Sequence, residues 1–182
     1  MFYNLENLKK TQQSQSKVEC SYLEIYNEQV LDLLDPSSPT RQVREHMKTG
    51  VFVEGAVENE VKSAKDIYEI IKQGTVNRHV SSTEMNKESS RSHAILTLKI
   101  ERKQDDEDGT KIITSQFHIV DLAGSERAKR SNAEGVTIRE AGNINKSLAN
   151  LGKVIHDLVE VNNKGRQYHI HYRDSKLTFL LK

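Results

Sequence analysis

The chain has 182 residues, 35% of them hydrophobic and 29% charged, with a formal net charge of +1; this suits one modestly cored soluble domain and is short for two. No apolar run approaches the roughly 20 residues of a membrane span, and the opening MFYNLENLKKTQQSQSK lacks the hydrophobic stretch of a secretory signal. A single cysteine, Cys20, excludes an internal disulfide, so a reducing compartment, by default the cytosol, is expected.

Charge is unevenly spread. Residues 1–121 carry 16 Lys+Arg against 20 Asp+Glu, and residues 122–182 carry 11 against 6. A basic C-terminal third points to a polyanionic partner (nucleic acid, acidic membrane or acidic protein), although a solvated face is the ordinary reading of such an excess.

In chain order, residues 17–26, KVECSYLEIY, alternate as a strand does, and NEQVLDLLDPSSPT runs into a turn at Pro36–Pro39. Residues 51–61 suit a short, partly exposed strand pair. Ser63 is an N-cap candidate for a helix over 63–78, with Ile67, Ile70 and Ile71 at helical spacing. The polar stretch 79–93 reads as a loop. Residues 94–103 place Leu96, Leu98 and Ile100 on one side of a strand, residues 111–121 end in the apolar FHIV, and Asp108-Gly109 is a hairpin signal between them. The segment 95–121 is thus an antiparallel hairpin inside a larger sheet. After a polar loop at 125–136, Ala141, Ile144, Leu148, Leu151, Ile155 and Leu158 recur in steps of three and four. They predict a long helix packed on its own sheet, with Arg139, Asn143, Lys146, Asn150, Lys153 and Asp157 on the other side. A coiled-coil seam would span only about three heptads.

The two polar loops next to the hairpin carry the chemistry. A nucleotide triphosphatase needs a phosphate cradle, a hydroxyl and a carboxylate to organise Mg²⁺, and a backbone N–H on the γ-phosphate. VDLAG places Asp121 at a strand end, where its carboxylate can hold the water shell of a metal. Gly124 then lets backbone approach a phosphate with no Cβ in the way. NKESSRSH supplies the hydroxyls of Ser89 and Ser90 beside Arg91. If both loops close over one phosphate, Arg91 and Glu126 can latch as a bidentate ion pair. The cradle, G-x-x-x-x-G-K-[ST], is missing: Gly152-Lys153 is followed by Val154, and Ser147 stands where the first glycine belongs.

The text N-x-x-S-S-R-S-H at 86–93, VDLAGSE at 120–126, NINKSL at 143–148 and YRDSKLT at 172–178 resembles the kinesin motor domain. The stretch SYLEIYNEQVLDLL is similar to the family as well. The resemblance implies an α/β fold: an incomplete P-loop NTPase-like kinesin motor fold with a central mixed β-sheet flanked by helices, in a single partial domain over 1–182. It also implies ATP and Mg²⁺ as cofactors and microtubules as partner, on the cytoplasmic cytoskeleton, with neither nucleic-acid binding nor membrane insertion. Subfamily, direction, cargo and oligomeric state stay open.

By position, Asn86, Ser89, Ser90, Arg91 and His93 resemble the first switch (86–93), with Ser90 as magnesium contact. Asp121, Gly124 and Glu126 resemble the second (120–126), with Asp121 reaching the metal through water and Glu126 latched to Arg91 to position the attacking water. Residues 125–137 resemble the track-sensing loop, about 138–160 the relay helix with Asn145 facing the switches, and 168–182 a microtubule-binding loop and helix start. Arg127, Lys129, Arg130, Lys146, Arg173 and Lys176 become candidate microtubule contacts, which accounts for the basic C-terminal third. His171 and Phe179 depart from the family pattern. Since the family places its phosphate loop ahead of the segment seen here, these 182 residues are expected to be part of a motor and not to hydrolyse Mg-ATP alone. The alternative is a non-catalytic microtubule-binding module derived from a kinesin; a remnant with no activity is a third reading. Cys20 is expected in the core, and His169 and His171 lack the third partner a metal needs.

Overall fold

The computed structural model describes residues 15–85, 89–106, 109–124, 136–164 and 169–182. Its main sheet is built on β1 (Gln15–Tyr26), β6 (His93–Asp106) and β7 (Gly109–Asp121), with β2 (Gln29–Asp32) and the two-residue β5 (Asn59–Glu60) sharing the outer edge of β1. The order is β2-β1-β6-β7, and every described pairing is antiparallel. A separate two-stranded sheet joins β3 (Val43–His46) to β4 (Gly50–Val53). Three helices accompany them: α1 (Ala64–Met85), α2 (Val136–Lys164) and α3 (Lys176–Leu180).

Because strand side chains alternate, β1 and β6 divide their apolar residues between two cores. Cys20 pairs with Leu98, Val18 with Ile100 and Tyr22 with Leu96, and this face packs under Ile67, Ile70 and Ile71 of α1. Leu23 pairs with Ile95 on the opposite face, where Leu151 of α2, Leu177 and Leu180 of α3, and Val43 close a second core. Helices therefore lie on both faces of the sheet, as the α/β reading expects. Cys20 is wholly buried in the first core, and burial pushes its thiol up to about 11.

The hairpin of β6 and β7 forms with Asp106 opposite Gly109, so its turn falls on 107–108, outside the described residues. Ser63 caps α1 as its sequence predicts. Its Oγ accepts the Asp66 N–H at 3.3 Å, and Asp66 Oδ2 accepts from the N–H groups of Ser63 and Lys62.

Four expectations shift. Residues 51–61 do not pair with each other: β4 pairs upstream with β3, and β5 joins β1, because Gly55 at φ +69° turns the chain out of the hairpin. The loop at 79–93 begins late, since α1 continues to Met85; nothing between Gly74 and Met85 is a proline or glycine to stop it. A short strand, β2, precedes the Pro36–Pro39 turn. The helix near 138–160 runs from Val136 to Lys164, and its inward face is the expected one only in part: Leu151 packs into the second core and Leu148 is half-buried. Ser147 and Val154 are buried and Leu151 half-buried, whereas Ile155 and Leu158 are exposed; the side chains of Ala141 and Ile144 lie outside the described ones. Both stripes satisfy helical spacing, and the second core selects the one that reaches His93 and Leu177.

Candidate functional site

Antiparallel pairing puts the start of β6 beside the end of β7, with Ala94 opposite Asp121. The loop entering β6 and the loop leaving β7 therefore emerge together. Ser89–Arg91 is a single 3-10 turn, and the Gly124 N–H donates to Ser90 O at 2.8 Å. The two loops are thus joined backbone to backbone. In this arrangement the Gly124 N–H is already engaged, so a phosphate oxygen could take it only by displacing Ser90 O.

Beneath the loops lies a buried polar cluster. Arg78, projecting from α1, donates from Nη1 to Asp121 Oδ2 at 3.0 Å and from Nη2 to Ser92 O at 3.0 Å and Ser92 Oγ at 3.1 Å. Ser92 Oγ donates to Glu24 Oε1 at 2.5 Å, and Arg78 Nε lies 3.4 Å from the same oxygen. Glu24 is 3% exposed, and its Oε2 has no hydrogen-bond partner among the described residues. Removing one partner of so buried a pair typically costs about 3–5 kcal/mol. Arg78 is thus held from below while it holds the ends of β6 and β7 together.

His93 makes the other junction. Its Nδ1 accepts the Ala123 N–H at 3.0 Å, and its Nε2 lies 2.7 Å from Ser147 Oγ on α2. A nitrogen accepting from a backbone N–H carries no proton, so Nε2 bears it and donates to Ser147. Burial, reinforced by the Arg78 charge and opposed by Asp121, holds the His93 pKa below its ordinary value and keeps the ring neutral.

The sequence-derived site residues are distributed as follows. Ser89, Ser90, Arg91, Asp121 and Gly124 converge on one end of the sheet. Ser90 and Arg91 are half-buried, and the Asp121 side chain is 71% exposed. Asn86, Glu126, Arg127, Lys129 and Arg130 lie outside the described residues, and with them the Arg91–Glu126 latch and residues 125–135 of the expected track-sensing loop (125–137). Lys146 and Asn145 sit on α2, the first exposed and the second half-buried. Arg173, in a 3-10 turn at Tyr172–Asp174, donates to Glu45 Oε2 at 2.9 Å and lies over the Phe179 ring at 5.2 Å. Lys182 and then Arg173 hold the Glu45 carboxyl below its usual range. The Lys176 N–H donates to Glu28 Oε2, and Asn150 Nδ2 donates to Asp174 O, which ties the 3-10 turn to α2. His169 and His171 stack edge to face at 4.8 Å, and among the described residues no group of three or more His, Cys, Asp or Glu side chains could hold a metal.

Arg78, Glu24 and Ser147 escaped the sequence reading. Each is a helix or strand residue whose partners are remote in the chain, so even where it lies in a family-like stretch, as Glu24 and Ser147 do, no local pattern assigns it a partner. As to a bound group, the donors present are a serine hydroxyl and an exposed carboxylate, hard oxygen ligands that fit Mg²⁺ and its water shell.

A family model described as the kinesin motor domain matches residues 1–182. Kinesin-like protein KIF15 of Homo sapiens is 56% identical over 163 residues, which cover 90% of this chain and 12% of that protein. Kinesin-like protein KIN-12D of Arabidopsis thaliana is 50% identical over 177 residues, 97% of this chain and 6% of that protein. Among solved structures, a fast kinesin superposes with a TM-score of 0.79 at 39% identity over 100% of this chain and 51% of the other. A KIF14[391-772] dimer with AMP-PNP in complex with a microtubule gives 0.80 at 37% identity, over 99% of this chain and 51% of that one. The chain therefore spans about half the length of these solved chains and about an eighth or less of the curated relatives.

Proposed function

The chain belongs to the kinesin motor-domain family, and we propose that it is the switch-bearing part of an ATP-dependent microtubule motor of the cytoplasmic cytoskeleton, sensing the terminal phosphate and passing its state to a track-binding face. The observation that carries this reading is the bond from the Gly124 N–H to Ser90 O, which couples the two loops expected to meet a γ-phosphate.

In this reading Ser90 and Asp121 hold Mg²⁺, the latter through water. Arg78 positions the Asp121 carboxylate, and Gly124 exchanges its bond to Ser90 O for a phosphate oxygen. Arg91 and Glu126 latch over the phosphate and orient the attacking water, with Asn86 and Ser89 completing the first loop. ATP with its Mg²⁺ supplies the phosphoryl group and the charge that steadies its transfer. Lys146, Arg173 and Lys176, with Arg127, Lys129 and Arg130, meet the acidic track, and such contacts weaken as salt rises. Arg173 first has to leave Glu45.

No phosphate-cradle motif occurs in these 182 residues, so the chain alone binds microtubules without turning over Mg-ATP. Co-sedimentation with microtubules at low salt, release at higher salt and phosphate production equal to the no-protein blank are the expected results. Turnover above the blank would overturn the catalytic half of the reading. Absence of pelleting at low salt would overturn the track-binding half.

A further inference from the structure

Gly124 and the first residue of α2 are separated along the chain by 125–135, yet a much shorter route joins the second loop to that helix through space. It runs from the Ala123 N–H to Nδ1 of His93, through the ring, and from Nε2 to Ser147 Oγ. His93 and Ser147 are both 2% exposed and Ala123 is 5% exposed, so water does not compete for either bond. The backbone of His93 is fixed in the sheet opposite Ile25, and its ring emerges on the face that α2 covers. An imidazole is rigid, and with Nδ1 accepting from Ala123 the proton sits on Nε2 and faces Ser147 Oγ. Each bond therefore helps to fix the ring in the orientation that the other uses.

We propose that His93 is a positioning residue that couples the backbone of the second loop at Ala123 to helix α2 at Ser147. Displacement of Ala123–Gly124, as when Gly124 turns from Ser90 O to a phosphate, is felt by the helix directly instead of only through the connecting loop. Shift of α2 on its track-facing side returns to the loop by the same path, because coupling between two sites is reciprocal. The functional meaning of this link rests on the motor reading above; its existence does not.

The test is amide hydrogen exchange and imidazole ¹⁵N spectroscopy on the full chain, comparing wild type with Ser147→Ala and Ser147→Thr. In the wild type the His93 shifts should report a neutral ring protonated at Nε2. In Ser147→Ala, exchange at the Ala123 amide should rise roughly five- to tenfold, as loss of one supporting hydrogen bond warrants. Amides of Leu96 and Leu98 should stay protected, and Ser147→Thr should restore Ala123. Unchanged exchange at Ala123, uniform loss of protection across β6, or a ring protonated at Nδ1 would overturn the proposal. In the complete motor that carries these residues, Ser147→Ala should keep turnover without microtubules and lower its stimulation by them. A parent motor with no turnover at all would overturn the functional reading while leaving the exchange result to judge the link.

Discussion

Two histidines of the main sheet show how one residue type answers to its surroundings. His93 spends both nitrogens on structure. His118, on β7, places Nδ1 2.9 Å from Thr97 Oγ1 of the neighbouring strand, and burial holds its pKa below the ordinary histidine value of about 6.5. The unfolded chain therefore takes up the proton more readily than the folded one. The stability this histidine contributes is complete above about pH 6.5 and is lost as the pH falls through the lower, folded value. Urea midpoints measured from pH 7.5 down to 5 should fall, and the fall should be smaller in His118→Gln. An identical profile in both proteins would show that this ring titrates alike in the folded and unfolded chain.

At the scale of elements, locally determined features were legible in the sequence and globally determined ones were not. The Ser63 cap, the alternation of Leu96, Leu98 and Ile100, and the antiparallel pairing of β6 with β7 depend on residues close together in the chain. The inward face of α2 depends on what the rest of the fold offers to cover, so periodicity alone favoured Ile155 and Leu158 over Val154. The two loops proposed to sense phosphate were read from their residue types, but the Arg78–Glu24–Ser92 cluster that braces them joins α1, β1 and β6 and has no local signature. Glycine in helices makes the same distinction measurable. A Cβ on Gly74 of α1 would lie 2.6 Å from Tyr22 Cε1 and 3.3 Å from Leu33 Cβ, while a Cβ on Gly152 of α2 meets nothing within 4 Å. Alanine gains about 1 kcal/mol in helix propensity at either site, but overpacking costs about 1–3 kcal/mol. Gly152→Ala should therefore raise the urea midpoint and Gly74→Ala lower it. Equal shifts of the same sign would show that α1 can move off β1 at no cost.

For the molecule as a whole, the decisive feature is β7. Thirteen residues long, it pairs only with β6 among the described residues, and residues 111–117 are exposed without interruption. Ile112, Ile113, Phe117 and Ile119 are 58%, 38%, 57% and 50% exposed, so apolar groups stand open on both faces of what is, among the described residues, an edge strand. Such an edge is a template for another chain. The opposite edge is safer, being shared by the four-residue β2 and the two-residue β5. In the motor reading the chain is part of a larger fold, and packing of further elements against β7 would put these side chains in an interior. Alone, the chain has to cover them with copies of itself. Sedimentation of the 182-residue chain should show weight-average mass rising with concentration above the 20.8 kDa of one chain, and Phe117→Lys with Ile119→Lys should return it toward monomer, since like charges on one strand face oppose stacking. The same double substitution should harm a complete motor, because there it buries two lysines where the sheet is packed. A wild-type chain that sediments as a monomer and unfolds in one sharp transition would show that β7 is stable uncovered, and would favour an autonomous microtubule-binding module over a part of a larger engine.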